Sequence, residues 1–244
     1  MKKSLLVLSV MLLLMLSLSA CSIDMVTGSG RLITDTRQVA GYDSVLFSAI
    51  GDVTITQGST EGLTIEAEDN IMPKIITEVR GTQLYIGFDR QSWQDIIRPT
   101  KSIKFTLTVK NLNSIEMDGV GSITAPSFET DKLTVKIGGA GGIKLTNFSA
   151  SSLTAIMSGA GNVEISGKVN SLDATMSGVG NFACGDLQTQ TAKVNLTGAG
   201  GATVWAANSL DVSITGAGSV SYYGTPKLTK NVTGVGVLNQ LGDK

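Results

Sequence analysis

Short alternating runs recur along the second half of the chain: Leu133-Thr134-Val135-Lys136-Ile137, Leu153-Thr154-Ala155-Ile156-Met157, Leu172-Asp173-Ala174-Thr175-Met176, Ala192-Lys193-Val194-Asn195-Leu196 and Leu210-Asp211-Val212-Ser213-Ile214. Apolar residues at every second position, with mostly polar residues between, put one face of a strand in a core and the other in water. Each run leads into a Gly-small-Gly triplet. Seven triplets occur: Gly119-Val120-Gly121, Gly139-Ala140-Gly141, Gly159-Ala160-Gly161, Gly178-Val179-Gly180, Gly198-Ala199-Gly200, Gly216-Ala217-Gly218 and Gly234-Val235-Gly236, at spacings of 20, 20, 19, 20, 18 and 18 residues. A second short strand follows each, as in Ile143-Lys144-Leu145, Val163-Glu164-Ile165 and Phe182-Ala183-Cys184. A turn-rich stretch such as Ser166-Gly167-Lys168 then closes the unit.

A unit of this length cannot bury its own apolar edge, but copies stacked on one another share a continuous core. The expected fold is all-β: a parallel β-helix or solenoid with about 18–20 residues per coil, coils roughly 4.8 Å apart. The triplets predict corners between sheets, where glycine turns the chain through φ > 0 and the small central residue points inward. A barrel or propeller built from hairpins is the rival. Propeller blades run to about 40 residues or more, and the hairpin dipeptides Asn-Gly and Asp-Gly occur only at Asp118-Gly119.

The first half also reads as strands, at Ser44–Phe47, Asp52–Thr56, Leu63–Ala67, Leu84–Phe88 and Ile103–Val109. Ala49-Ile50-Gly51 resembles a degenerate corner. Asn70 to Val79 predicts a loop or single helical turn running into a strand, and Gln91 to Thr100 a polar loop. Residues 38–118 are expected to form a β-rich cap on the solenoid of residues 119–244, as terminal repeats must be capped.

The N-terminus has another character. Met1-Lys2-Lys3, an apolar run from Leu5 to Leu18, and Leu18-Ser19-Ala20-Cys21 have the layout of a secretory signal over residues 1–20. The run is short for a spanning helix, which needs roughly 20 apolar residues. Leu-Ser-Ala-Cys resembles the bacterial lipobox, which implies cleavage before Cys21 and a thioether-linked diacylglycerol there, with acyl chains such as palmitate. Ser22 after Cys21 resembles the sorting pattern for the outer membrane. Residues 21–37 are then expected to be the lipidated cysteine and a tether, and the membrane, held through that lipid, a partner.

Loss of residues 1–20 leaves 17 basic and 20 acidic side chains, a net charge of about −3. That argues against nucleic acid as a partner, which needs a basic face. Cys184 is the one cysteine left and the chain has no His, so neither a disulfide nor the usual zinc, copper or haem ligand sets are expected, and no cofactor is. The triplets carry no Asp ladder of the calcium-binding β-roll type and no third Gly opening a helix for a dinucleotide.

The motifs Tyr42-Asp43-Ser44-Val45, Gly51-Asp52-Val53-Thr54-Ile55-Thr56-Gln57-Gly58, Leu63-Thr64-Ile65-Glu66-Ala67 and Gly81-Thr82-Gln83-Leu84-Tyr85-Ile86, followed by the Gly-Ala/Val-Gly repeats, resemble the head GIN domain family of auto-transporter adhesins over about residues 38–240. The resemblance implies a right-handed β-helix-like fold and an envelope lipoprotein. It carries over no catalytic residue.

A polysaccharide lyase or hydrolase is the enzymatic alternative, because such sites need acids clustered on one sheet. Asp173 and Asp211 fall on the outward face two coils apart, roughly 10 Å, with Lys193 between them. A surface charge ladder explains the same pattern. Trp205, Tyr222 and Tyr223 are candidates either for sugar stacking or for closing the C-terminal end, and Cys184 for a buried, inert thiol. The expected function is therefore non-enzymatic: a lipid-anchored envelope protein, held in the outer membrane, whose Ser/Thr-rich faces bind a surface glycan or protein.

Overall fold

The computed structural model describes residues 25–89 and 96–244. The signal segment and Cys21 lie outside the described residues. The first half contains β1 (Met25–Thr27), β2 (Leu32–Arg37), β3 (Ser44–Phe47), β4 (Ile50–Gln57), β5 (Gly62–Glu68), β6 (Ile75–Arg80), β7 (Gln83–Phe88), β8 (Ile96–Arg98) and β9 (Lys104–Val109). The second contains β10 (Ser114–Met117), β11 (Val120–Ala125), β12 (Phe128–Ile137), β13 (Ala140–Met157), β14 (Ala160–Met176), β15 (Val179–Leu196), β16 (Ala199–Ile214), β17 (Ala217–Tyr223), β18 (Lys227–Val232) and β19 (Val235–Gly242). One 3₁₀ turn, Met72–Lys74, leads into β6.

From β10 onward every pairing is parallel, and like residues lie on like. This is a β-solenoid, and the hairpin alternatives are excluded. Inward rows fill the core with apolar side chains, for example Met117, Ile137, Met157, Met176, Leu196 and Ile214, all at most 1% exposed. Phe128 lies on Phe148 with ring centroids 6.2 Å apart and planes 2° from parallel.

The corners stack as Gly119, Gly139, Gly159, Gly178, Gly198, Gly216 and Gly234, each beneath the carbonyl of the one before. A Cβ on Gly159 would stand 2.0 Å from the Gly139 carbonyl oxygen, a distance no side chain tolerates. Both glycines of a triplet are kept bare by stacking: from Gly121 to Gly218 a Cβ on the second would stand 1.7–2.0 Å from the carbonyl oxygen of the coil before. At Gly121, Gly141, Gly180 and Gly200 the second glycine also has a positive φ of 142–152°. The first has no positive φ and is excluded from bearing a side chain by close stacking alone.

The central residue of the triplet does not point inward as expected. Val120, Val179 and Val235 are 52, 62 and 86% exposed, and the alanines between them are exposed too. The backbone path explains this: carbonyls of successive coils close the inside of the corner, so only the outside has room.

The solenoid also begins earlier than residue 119. β3 pairs in parallel with β10 and β4 with β11, placing Gly51 in register with Gly121. Residues 58–113 are thus an excursion between two stacked rungs. That excursion makes the cap: β7 and β9 add a rung parallel to β3 and β4, after which β6, β5 and β2 run antiparallel.

The tether reading of residues 21–37 is corrected in the part described. β1 pairs in parallel with β8, and β2 pairs antiparallel with β5. The polar-loop reading of 91–100 is corrected likewise, since Ile96–Arg98 is β8. No helix among the described residues is long and apolar enough to cross a membrane.

Candidate binding faces

The parallel register turns sequence alternation into rows along the solenoid. On the sheet before the corner, Thr134, Thr154, Asp173, Lys193, Asp211 and Thr229 form one outward row. Ser152, Ser171, Thr191, Ser209 and Lys227 form the next. Between them runs a shallow groove of about 590 Å³ that crosses the coils, floored by Leu153, Leu172, Ala192 and Leu210. Its floor is strand backbone, since those four side chains point into the core and are at most 5% exposed, and its two walls carry hydroxyls and charges that alternate in sign from coil to coil.

The structure therefore brings Asp173, Lys193 and Asp211 side by side in one exposed row. The two carboxylates are still separated by a whole coil. Among the described residues no group of three or more His, Cys, Asp or Glu side chains is placed to hold a metal ion. Ion pairs between coils lie on neighbouring strips, Lys136 with Glu116 (3.9 Å) and Lys144 with Glu164 (2.7 Å).

A second, more polar hollow of about 800 Å³ lies on another side, lined by Gln57, Asn111, Glu129, Asp131, Ser149, Lys168 and Asn170 among others. Gln57 sets its wall. Its amide nitrogen donates to the carbonyls of Lys110 (3.1 Å) and Glu129 (2.9 Å), and its amide oxygen accepts from the Glu129 N–H (2.9 Å). Neither the hydroxyl row nor Gln57 stands out in the sequence, because both depend on which residues of distant coils become neighbours.

The aromatic candidates divide. Tyr222 is buried, while Trp205 and Tyr223 are half-buried neighbours in register. Lys244 Nζ lies 4.6 Å from the Tyr223 ring centroid and 5.9 Å from that of Trp205, and also pairs with Asp186. A cation over both rings closes this end of the sheet and leaves no open stacking platform. Cys184 is fully buried, and burial pushes its thiol up to about 12.

Sequence reasoning missed Glu68. Alternation places it on the outward face of β5, yet it is fully buried because the N-terminal arm covers it. Its carboxylate accepts hydrogen bonds from the N–H of Gly30 (2.6 Å), the N–H (2.8 Å) and hydroxyl (2.5 Å) of Thr100, and the N–H of Lys101 (3.3 Å). Burial pushes the carboxyl up, and the hydrogen bonds together outweigh it and hold Glu68 below the usual carboxylate range. Gly28 must be glycine here, since a Cβ would fall within 1.9 Å of that carboxylate. In the cap, Tyr42 donates to the Thr108 carbonyl (3.0 Å), and burial with the nearby Glu61 carboxylate raises its phenol well above the ordinary value.

Comparison with known proteins places this architecture. A crystal structure of a "putative adhesin" from Bacteroides fragilis is similar over 88% of this chain and 100% of its own, with 26% identity and a TM-score of 0.83. A "putative lipid binding protein" and a "putative adhesin", both from Parabacteroides distasonis, share the fold at TM-scores of 0.67 and 0.63. They are 23% and 20% identical, and each match covers 89% of this chain and all of the other. No curated protein is similar to the chain. Residues 41–226 match the family described as "Putative auto-transporter adhesin, head GIN domain", and the chain belongs to that family.

Proposed function

We propose that this is a lipid-anchored, non-enzymatic adhesin of the cell envelope, tethered to the outer membrane through Cys21, that binds an extended polar polymer along its solenoid. The observation that supports the reading best is the groove between the two outward rows. Its walls repeat once per coil, at about 4.8 Å, from Ser152 and Thr154 to Lys227 and Thr229. A rigid, evenly spaced row of hydroxyls and alternating charges is matched by a chain-like ligand whose own polar groups repeat, a glycan above all. The acids Asp173 and Asp211 face water two coils apart with Lys193 between them, which supports reading the row as a charge ladder.

Binding of the purified chain to arrays of envelope and host glycans tests this, with Lys193→Ala and Asp173→Asn as comparisons. The reading expects binding by the native protein that weakens about tenfold or more when Lys193 is removed, the scale of a lost charge-assisted hydrogen bond. Glycan cleavage by the native chain, lost in the Asp173 variant, would instead make it a carbohydrate-active enzyme. Cys21 is tested by mass spectrometry of the protein extracted from membranes.

A further inference from the structure

We infer that the N-terminal arm is a rigid mount rather than a flexible leash: the face made by β1, β8 and the start of β2 rests on the bilayer that holds the Cys21 lipid, and the Glu68 clasp fixes the solenoid's orientation to it. The inference rests on the lipid-anchor reading above.

The first observation is length. Cys21 and Met25 are four residues apart, and a fully extended chain covers at most about 14 Å over that separation. β1 therefore stays within about 14 Å of the acylated residue, roughly two headgroup layers' thickness.

The second is surface chemistry. In the parallel β1–β8 ribbon, Met25 lies beside Ile96 and Thr27 beside Arg98. Val26 and Ile97 face the body, so the outward side carries Met25 and Ile96, 52 and 47% exposed, followed by Arg98. Leu32, 43% exposed, follows on β2. Exposed apolar side chains bordered by arginine suit a bilayer interface, where apolar groups enter the headgroup boundary and cations meet phosphate.

The third is stiffness. The arm is fastened at several points to the cap. Glu68 takes the Gly30 N–H from the arm and the Thr100 and Lys101 donors from the segment after β8, joining both pieces at one buried carboxylate. Asn70 accepts from the Ser29 N–H (2.9 Å) and donates to the Thr27 carbonyl (2.8 Å), and Asp69 pairs with Arg31 and Ser29. A flexible tether has no use for such contacts, whereas a mount that holds the binding rows at a set attitude to the membrane needs them.

Single cysteines for a fluorophore test this. Cys184 is buried and the lipid occupies Cys21, so an introduced cysteine is the reactive one. The acylated full-length chain, carrying Ile96→Cys, Leu32→Cys, Val179→Cys or Val237→Cys, is placed in phosphatidylethanolamine–phosphatidylglycerol vesicles containing a nitroxide lipid quencher. The mount predicts quenching several-fold stronger at 96 and 32 than at 179 and 237. Adding Glu68→Gln should flatten that gradient with the protein still vesicle-bound. Equal quenching at all four sites, on a chain whose Cys21 carries lipid, overturns the mount and leaves the anchor intact. An unmodified Cys21 overturns the anchor, and the mount with it.

Discussion

The repeat coils and the N-terminal cap use the same alternating strands to opposite ends. In the coils each strand passes its free edge to a near-copy of itself, so neighbours must match, and one residue pattern serves every rung. In the cap the edges must stop. β5, β6 and β2 turn antiparallel, and unlike residues finish them: Arg37 donates to the Ile75 carbonyl (2.6 Å) and Thr77 (3.1 Å), Tyr42 to the Thr108 carbonyl, and Glu68 receives the arm. Propagation is built from identical, mostly apolar contacts and termination from individual polar ones. The two halves should therefore fail differently.

The largest effect is expected at a corner. Gly159→Val puts a branched side chain against the Gly139 carbonyl and should cost about 3 kcal/mol or more, or prevent folding. Ala160→Phe, one residue on, points into water and should change stability by less than about 0.5 kcal/mol. Thermal unfolding of the pair decides whether stacking or mere corner location sets the cost.

Next in size are the cores. Truncation of Met157 in the coils or Leu107 in the cap to Ala should each cost about 2–5 kcal/mol, as for other fully buried side chains. Denaturant unfolding should show whether the halves melt together or the cap goes first.

A smaller effect belongs to the cap alone. The Glu68 carboxyl is held below its unfolded value, so its contribution is present above the unfolded carboxylate range and fades as pH falls through the folded one. Protection from hydrogen exchange in residues 25–37, corrected for the slower intrinsic exchange in acid, should fall on acidification below about pH 4.5 while the coils stay protected. Uniform exchange across both regions would break the distinction. Smallest of all, Lys144→Ala removes a half-exposed pair with Glu164 and should cost well under 1 kcal/mol, visible only as a slight shift in melting temperature.

This contrast also explains what could be read from the chain alone. The coils were legible because the register repeats every 18–20 residues: the inward rows and the exposed Asp173–Lys193–Asp211 row follow from counting by twos. The direction of the triplet's central residue was not legible, because small size fits an outer corner as well as a crowded interior, and only the stacked carbonyls decide. Glu68 was hidden for the opposite reason. It obeys alternation, and its burial comes from an arm that pairs with β5 across some thirty residues of sequence and offers no periodicity of its own. The groove was half legible: its charged wall follows from spacing, but its hydroxyl wall depends on which coils meet.

Pulsed electron–electron resonance measures the stacking most directly. Spin labels are placed on Thr229 and, in turn, on Lys193, Asp173, Thr154 and Thr134, which stand two to five coils away in one row. The stacked solenoid predicts a separation that grows by about 4.8 Å with each coil, from roughly 10 to roughly 24 Å. Separations that fail to grow steadily, or that alternate between near and far, would contradict it.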